Sequence, residues 1–230
     1  MSDPYAVVSV AGMRALEAAA ITAGTSELEL QERAGRAVAD VVHGRLASTR
    51  GRVLVLVGAG NNGRDAAVAA RYIAARGHAV AVWLWTRHGL SADELAQLAG
   101  MDVDIASLNG AEGMAGLRQA LGIADVAIDG LLGVGSRGPM RPGLADVAAT
   151  LNAARTARRA LLVVAVDVPS GLDADGGAAP GVVVRADVTV TFGAIKAGLL
   201  RFPGAELAGE ILVRPIGLPS EAVEGQPVRV

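Results

Sequence analysis

Two carboxylates in this sequence stand at the ends of apolar runs that are typical of buried strands. Asp129 follows Val126–Ile128, and Asp167 ends the run Leu161–Asp167. A carboxylate in such a place lies at the rim of a sheet, where burial and neighbouring charges can tune its pKa. Asp167 is therefore a candidate acid or base. For one acid alone, ordinary helix capping or loop hydrogen bonding would be the better interpretation.

Lys196 is the single lysine of the chain, and the other 20 of its 21 basic Lys and Arg residues are arginines. Lysine offers a compact ammonium with a tunable pKa, which arginine does not. A position that keeps lysine in an arginine-rich chain indicates a functional or a specific structural role. Three roles are open for Lys196: it can tune the pKa of Asp167, contact a phosphate, or only bind its own loop.

A glycine-rich loop, Gly58-x-Gly60-x-x-Gly63, follows the apolar run Val53–Val57 and precedes an alanine-rich segment. Glycines there let the backbone approach a pyrophosphate, which free N–H groups and a helix N-terminus can hold. The loop also carries Asn61 and Asn62, whose amides can bind a hard cation, a phosphate or a ribose. Left-handed turn geometry is the alternative reason for asparagine.

The carboxyl ends of parallel strands share one edge of a sheet, so several polar groups are expected to meet there. Asn62, Asp129 and Ser170 would supply an amide oxygen, a carboxylate and a hydroxyl. That oxygen set suits K⁺, Na⁺ or Ca²⁺ and suits zinc poorly. The sequence therefore predicts a ligand site at this edge, with Lys196 and Asp167 nearby.

Strand-like and helical patterns alternate along most of the chain, which predicts a three-layer α/β fold with right-handed crossovers and a mostly parallel sheet. The predicted strands are Val53–Val57, Ala79–Trp85, Val103–Ile105, Val126–Asp129, Leu161–Asp167, Asp187–Thr191 and Ile211–Arg214. The predicted helices between them are Asp65–Ala75, Ser91–Leu98, Glu112–Leu121 and Leu144–Thr156.

Two further helices are predicted before the first strand. One spans Met13–Ala23, and the other begins at Ser26, where Ser26 and Glu29 form a capping-box pattern. This helical lead-in, residues 1–48, can pack on the sheet or on a second subunit. We expect one domain over residues 1–230, with the core at 49–230 and a turn-rich tail after Pro215 covering a sheet edge.

Composition excludes several classes of protein. A formal charge of −2 and 3% aromatic residues argue against nucleic-acid binding. The chain has no cysteine and three histidines, which disfavours Cys-ligated zinc, disulfides and a Ser-His-Asp triad. No run of 18 apolar residues and no signal-peptide pattern is present, so neither a membrane span nor secretion is expected.

Trp85 is followed by Thr86-Arg87-His88, without the acid that binds ribose in NAD-dependent dehydrogenases.

Several motifs, in order, resemble those of the NAD(P)H-hydrate epimerases, the YjeF N-terminal domain family. The family pattern GxGNNGGDG reads GAGNNGRDA here, and IDGLLGVGSRG, VDVPSGLDADG and TFGAIKAG follow it. MRALEAAAITAG, LQERAG and GEILVRPIGLP resemble the opening and close. Arg64 and Ala66 replace two glycines of the pattern: Arg64 can contact phosphate or crowd the loop, and Ala66 is a mild change if its position is helical.

The resemblance implies a Rossmann-like α/β/α sandwich, commonly a homodimer, that epimerises C6 of the hydrated nicotinamide ring of NADHX and NADPHX. It implies a cytoplasmic enzyme whose product goes to a separate ADP/ATP-dependent dehydratase, and one K⁺ held by Asn62, Asp129 and Ser170. Inversion at C6 needs a positioned acid/base, and we expect Asp167 in that role, with Lys196 as a second catalytic residue. The implied substrate contacts are Asn61, Asn62, Gly63, Arg64, Asp65, Gly133, Val134, Gly135, Ser136, Arg137, Gly138, Pro139 and Asp167.

Three alternatives remain beside the epimerase interpretation. The same fold can serve as a non-catalytic nucleotide- or partner-binding module. An NAD(P)-dependent oxidoreductase is a second, disfavoured by the missing ribose acid and by the asparagine pair. A nucleotide-binding α/β domain without a more specific role is the third.

Overall fold

The computed structural model describes residues 6–46, 50–86 and 89–218 of the chain. Its strands are β1 Val7–Val8, β2 Arg52–Val57, β3 Ala79–Leu84, β4 Asp104–Ser107, β5 Val126–Gly130, β6 Leu162–Val166, β7 Val188–Phe192, β8 Ile195–Lys196 and β9 Glu210–Arg214. Its α-helices are α1 Val10–Thr22, α2 Glu27–Arg45, α3 Asn61–Ala74, α4 Ala92–Ala99, α5 Gly110–Ile123, α6 Pro142–Ala157 and α7 Gly204–Ala208, and a 3₁₀ helix spans Ala197–Leu200.

Seven strands form one parallel sheet in the order β4-β3-β2-β5-β6-β7-β9. All seven correspond to strands predicted from the sequence, with bounds that differ by one or two residues. The order reverses direction between β2 and β5, and open α/β sheets bind ligands outside the strand ends at such a switch point. The expected parallel α/β fold is confirmed.

The sheet carries helices on both faces because alternate residues of each buried strand point to opposite sides. Val53, Val55 and Val57 of β2 join a cluster with α2 and α3, whereas Leu54 and Leu56 join a cluster with α5 and α6. Both clusters are apolar and fully buried, which is why these strands read as continuous apolar runs rather than alternating ones.

The helical lead-in packs on the sheet. Leu30, Ala34, Val38 and Val42 of α2 belong to the same buried cluster as β2, and α2 lies along α3. At Gly35 the helices approach so closely that a Cβ would stand 2.4 Å from the side chain of Val68. The predicted capping box of Ser26 and Glu29 is present, which fixes where α2 begins.

Helix α3 begins four residues earlier than predicted. Gly60, in an extended conformation, is its N-cap, so Asn61 and Asn62 form the first turn rather than a loop. The sequence Gly-Asn-Asn-Gly resembles a turn, but here it starts a helix: the backbone N–H groups of Gly63 and Arg64 both donate to Gly60 O, which begins the helical hydrogen bonding. Ala66 is helical and buried, so its replacement of a glycine of the family pattern is the mild change expected for a helical position.

Four short elements escaped the sequence analysis: β1, β8, the 3₁₀ helix and α7. β1 pairs in parallel with β8 as a separate two-stranded sheet, with Val8 opposite Lys196. Two-residue strands have no periodicity to detect. The predicted boundary at residues 48 and 49, the tail beyond residue 218, and Arg87 and His88 lie outside the described residues. Among those described, no helix is both long enough and apolar enough to cross a bilayer.

Candidate active site

A buried ion pair joins Asp167 to the chain's single lysine. Lys196 lies on β8 with no exposed surface, and its Nζ donates to Asp167 Oδ1 over 2.5 Å. It also donates to Thr191 Oγ1 at 3.2 Å and to the carbonyl of Phe192 at 2.9 Å. These acceptors use all three N–H groups of the ammonium. Contact with a phosphate, one of the roles left open for Lys196, is therefore not compatible with this arrangement.

Asp167 follows the last residue of β6 and adopts a left-handed backbone conformation, φ 62°. Aspartate tolerates that region better than most residues. Its Oδ1 also accepts hydrogen bonds from Thr191 Oγ1 at 3.0 Å and from the Phe192 N–H at 3.3 Å. Within the described chain no hydrogen bond reaches Oδ2, and 12% of the side chain is exposed. One oxygen is thus fixed, and the other is free to meet a ligand.

Two further carboxyls lie near this pair. Asp65, in the second turn of α3, has a pKa raised well above its usual value by burial, and the charges of Asp167 and Glu17 raise it further, against Lys196. Burial also raises the pKa of Glu17 on α1, as do the charges of Asp167 and Glu27, whereas Lys196 and Arg14 lower it. Three carboxyls, those of Asp167, Asp65 and Glu17, thus interact with the single buried ammonium of Lys196.

A cavity of about 260 Å³ opens beside these carboxyls. Glu17 and Asp65 line it from different helices, together with Asn61, Arg64 and Phe192. Arg64 points outward, with its Nε 4.0 Å from Glu94 Oε1, so it does not crowd the glycine loop.

A second cavity, of about 390 Å³, contains part of the other predicted substrate loop. Val134, Ser136, Arg137 and Gly138 line it, facing Arg14 of α1 across the opening. The predicted contacts Gly133, Gly135 and Pro139 do not line it, and neither Asn62, Gly63 nor Asp167 lines either cavity. Helix α1 contributes to both cavities, so it covers the carboxyl end of the sheet.

Asp129 and Ser170 form a fully buried oxygen cluster at the switch point. The Ser170 Oγ lies 2.6 Å from Asp129 Oδ1, and the Ser170 N–H donates to Asp129 Oδ2 at 2.8 Å. Leu132 adds its N–H to Ser170 Oγ at 2.8 Å and its carbonyl accepts from Asn62 Nδ2 at 2.9 Å. Asp129 and Ser170 are therefore in direct contact, and Asn62 is joined to them through the Leu132 backbone, whose carbonyl accepts from its Nδ2.

This cluster fits a monovalent cation. Burial raises the pKa of Asp129 to about 6, although hydrogen bonds from Ser170 and Leu131 oppose the shift. No basic side chain of the described residues forms an ion pair with it, so its charge is uncompensated by the protein. A buried carboxylate without a counter-charge is costly. Oxygen donors and one negative charge are what a hard cation needs.

The glycines of the loop serve close packing. A Cβ on Gly58 would stand 1.8 Å from the Leu131 carbonyl oxygen, and one on Gly63 would stand 2.2 Å from Gly58 O. At Gly60 nothing lies within 4 Å. The first and third glycines thus bring β2, α3 and the β5 loop together, whereas the second allows the approach of a ligand.

Sequence reasoning missed Glu17, Arg14 and Thr191 as parts of the site. Arg14, Glu17 and Ile21 follow helical spacing on α1, so a charged pair on one helix face was the available signal. Thr191 is a polar residue inside a buried strand, which by itself indicates a hydrogen-bonded partner.

Comparison with known proteins identifies relatives over most of the chain. It is 41% identical over 206 residues to the bifunctional NAD(P)H-hydrate repair enzyme Nnr of Hyperthermus butylicus, covering 86% of this chain and 36% of that protein. It is 39% identical over 225 residues to the NAD(P)H-hydrate epimerase of Microbacterium testaceum, covering 94% of this chain and 80% of the relative. The chain thus spans little more than a third of the bifunctional relative.

The fold also matches a solved structure. The crystal structure of yeast ynu0, YNL200c, aligns with a TM-score of 0.80 at 21% identity, covering 97% of this chain and 96% of the yeast chain. At that identity the match supports the fold alone. Residues 27–198 match the sequence profile of the family described as YjeF-related protein N-terminus. The profile covers α2 through the first residues of the 3₁₀ helix, and with them every predicted site residue. The chain belongs to the YjeF-related protein N-terminus family.

Proposed function

We propose that this chain is an isomerase that interconverts the R and S forms of hydrated NADH and NADPH at C6. The names of the relatives, which include epimerases of similar length, support an enzyme over a non-catalytic binding module. The observation that carries the proposal is the Asp167–Lys196 pair: a carboxylate with one oxygen fixed by a buried ammonium and the other without a hydrogen bond among the described residues.

The chemistry requires such a group. C6 of the hydrate carries a hydroxyl and is bonded to the ring nitrogen, so inversion needs that hydroxyl to leave and return on the other face, or the ring to open and close. Either route moves protons and needs a positioned acid/base. Asp167 would provide it through Oδ2. Lys196 would hold the carboxylate in place and stabilise its charge.

The remaining predicted contacts would bind the rest of the substrate. Asn61, Arg64 and Asp65 line the first cavity, and Ser136 and Arg137 line the second. The N-terminus of α3 adds backbone N–H groups that favour an anion such as a pyrophosphate. The two cavities together would accommodate an elongated dinucleotide better than a compact ligand.

A potassium ion would occupy the oxygen cluster of Asn62, Asp129 and Ser170. When bound, it would supply a positive charge that compensates Asp129. Its effect would be to hold the loop at residues 131–139 against the start of α3, because Leu132 and Asn62 already join these elements.

The wider setting is proposed on the same basis. The bifunctional relatives are repair enzymes more than twice the length of this chain, which supports coupling to a separate dehydratase, proposed here to be ADP/ATP-dependent. We propose a homodimer in the cytoplasm. Ile21 and Leu28, 45% and 65% exposed, line the first cavity, so a second subunit that covered this apolar surface would lie at the edge of the proposed site.

The direct test is epimer interconversion. Purified R hydrate of NADH is incubated with and without the protein, and the two epimers are separated by chromatography over time. We expect equilibration well above the spontaneous rate. Binding of the hydrate without faster equilibration would instead favour the non-catalytic binding module.

A further inference from the structure

Helix α1 places a second glutamate in the proposed site, and no motif considered so far uses it. Glu17 lies one turn after Arg14 on α1, and its side chain lines the cavity that Asp65 lines from α3. We propose that Glu17 and Asp65, which line one cavity, act together: Asp65 donates a proton to the substrate, and Glu17 is a positioning residue whose charge keeps Asp65 protonated. The inference rests on the proposed epimerase function.

The charges around the pair support this assignment. Asp65 faces Glu17 from α1, Asp167 from the end of β6 and Lys196 from β8. The negative charges outnumber the single ammonium, and Lys196 is already bonded to Asp167 at 2.5 Å. Burial and the charge of Glu17 both favour the neutral form of Asp65. Asp65 therefore keeps its proton at pH values where an exposed aspartate has lost it.

Glu17 has a different environment from Asp65. Besides Asp167 and Lys196, it faces Arg14 on its own helix and Glu27 at the start of α2. Arg14 and Lys196 favour its ionised form, whereas burial, Asp167 and Glu27 oppose it. Burial is the largest cause of the raised pKa of both carboxyls, but only Glu17 is also acted on by an arginine, Arg14, which favours its ionised form. Two neighbouring carboxyls whose environments separate their pKa values are suited to acid and base roles.

Epimerisation needs proton transfers of opposite direction. In the proposed step the proton of Asp65 moves to the C6 hydroxyl oxygen, and the C6–O bond breaks with its electron pair leaving as water. The lone pair of the ring nitrogen forms a double bond to C6. A water molecule then adds to the other face of C6, and Asp167 takes its proton. One proton leaves Asp65 and one arrives at Asp167, so the charge of the site is conserved. The proton returns from Asp167 to Asp65 through water before the next turnover.

The test compares the pH dependence of epimerisation in wild type and Glu17→Gln. Removing the charge of Glu17 lowers the pKa of Asp65, so the alkaline fall in rate moves to lower pH. At pH values above this fall, we expect Glu17→Gln to be about three- to tenfold slower than wild type, which corresponds to a shift of about half to one pH unit. At acidic pH the two rates should be similar. Glu17→Asp should restore part of the wild-type profile.

Glu112→Gln is the matched control, because Glu112 is exposed on α5, lines neither cavity and is not among the charges that shift the pKa of Asp65 or Glu17. Its alkaline limb should stay at the wild-type pH. Melting temperatures of all variants check that they fold. A uniform loss of rate in Glu17→Gln at every pH would overturn the proposal.

A second readout is independent of activity. The side-chain carboxyl carbon of Asp65, followed by NMR, should titrate at lower pH in Glu17→Gln than in wild type. An unchanged titration overturns the proposed action of Glu17 on Asp65, whatever the activity. If Glu17→Gln shifts the titration of Asp65 but the wild-type protein does not epimerise the hydrate, the action of Glu17 on Asp65 is supported and the proposed function fails.

Discussion

At the scale of single residues, the site depends on one buried ammonium. Lys196 is fully buried and bonded to three oxygens, and Asp167 is its only carboxylate partner among the described residues. Removing one member of a buried pair leaves the other charge uncompensated, which is costlier than removing both. This explains why position 196 is a lysine although the other 20 Lys and Arg residues are arginines. A guanidinium is larger than an ammonium and planar, so it would not fit the same three acceptors.

Lys196→Met is therefore expected to destabilise the protein by about 3–5 kcal/mol. The double variant Lys196→Met/Asp167→Asn should recover part of that loss, because it removes the unpaired carboxylate. Urea unfolding followed by circular dichroism measures both. Equal stability of Lys196→Met and wild type would contradict the buried pair.

The oxygen cluster around Asp129 gives a second prediction at this scale. Potassium chloride should raise the melting temperature relative to the same concentration of choline chloride. A hundredfold excess over the Kd corresponds to about 2.7 kcal/mol of stabilisation, or several degrees for a chain of this size.

Asp129→Asn and Asn62→Ala should each remove the difference between the two salts. Asn62→Ala is the milder variant, because it leaves the Asp129–Ser170 hydrogen bonds intact. A potassium effect that persists in both variants would show that the ion does not bind there.

Much of this site was predictable from residue types. Asp129, Asp167 and Ser170 follow apolar runs, and the end of a parallel strand fixes where such residues lie. The structure adds what spacing does not carry: that Asp167 pairs with Lys196, and that Glu17 lines the same cavity as Asp65. The position of Glu17 depends on how α1 crosses the sheet, and the sequence of α1 specifies a helix but not its direction.

At the scale of elements, the glycine loop shows which positions are constrained by packing. Gly58→Ala should destabilise the protein by about 2 kcal/mol or more, because its Cβ would overlap the backbone of Leu131, which cannot move without shifting the β5 loop.

Gly60→Ala is the matched control, with φ −104° and open space around its Cβ position. It should change the free energy of unfolding by about 0.5 kcal/mol or less. Thermal and urea unfolding compare the two variants. Similar losses for both would mean that the loop is constrained by conformation rather than by contact.

The junction between α2 and the strand β3 contains a pH-sensitive contact. His78 Nδ1 accepts the N–H of Gly51 at 3.1 Å, so its proton lies on Nε2, which donates to His43 Nδ1 at 2.8 Å. Burial lowers the pKa of His78, and the charges of His43 and Arg76 lower it further. The folded protein therefore favours neutral His78.

Because the pKa of His78 is lower in the folded state than in the unfolded state, this contact contributes fully above a pH of about 6.5. Stability is lost as the pH falls below that value, where the unfolded chain binds more protons. Unfolding free energies from pH 8 to 5 should decline, and less steeply in His78→Asn, whose amide oxygen can accept from Gly51. An identical slope in the variant would exclude His78 as the cause.

The start of α3 shows the limit of prediction for elements. The Gly-Asn-Asn-Gly sequence has turn propensity, yet helix α3 begins within it because Gly58 and Gly63 pack against each other. Long apolar runs such as β2 and β6 were predictable, since burial on both faces leaves a clear pattern. The pairing of β1 with β8 was not, because two-residue strands are defined only by their partner.

At the scale of the whole molecule, the fold brings distant motifs to one edge. The strand order reverses between β2 and β5, so the glycine loop and the Asp129 cluster meet there. The strands β6 and β7 then add Asp167 and Thr191 along the same edge. The lead-in helix α1 covers this edge and contributes to both cavities. The fold thus explains why the family's motifs are spread over the chain.

The central claim is that Asp167 is the acid/base of an epimerase, and the most direct measurement is its replacement by asparagine. The R hydrate of NADH is supplied to an S-specific dehydratase, with wild type, Asp167→Asn or Asp102→Asn as the epimerase. Asp102 is an exposed aspartate that shares the left-handed backbone conformation, φ 55°, and so controls for the substitution itself. Melting temperatures establish that each variant is folded at the assay temperature.

We predict that wild type and Asp102→Asn convert the R hydrate at equal rates, and that Asp167→Asn loses about 10²-fold or more, the usual contribution of a general acid/base. Wild-type rates in folded Asp167→Asn would contradict its catalytic role.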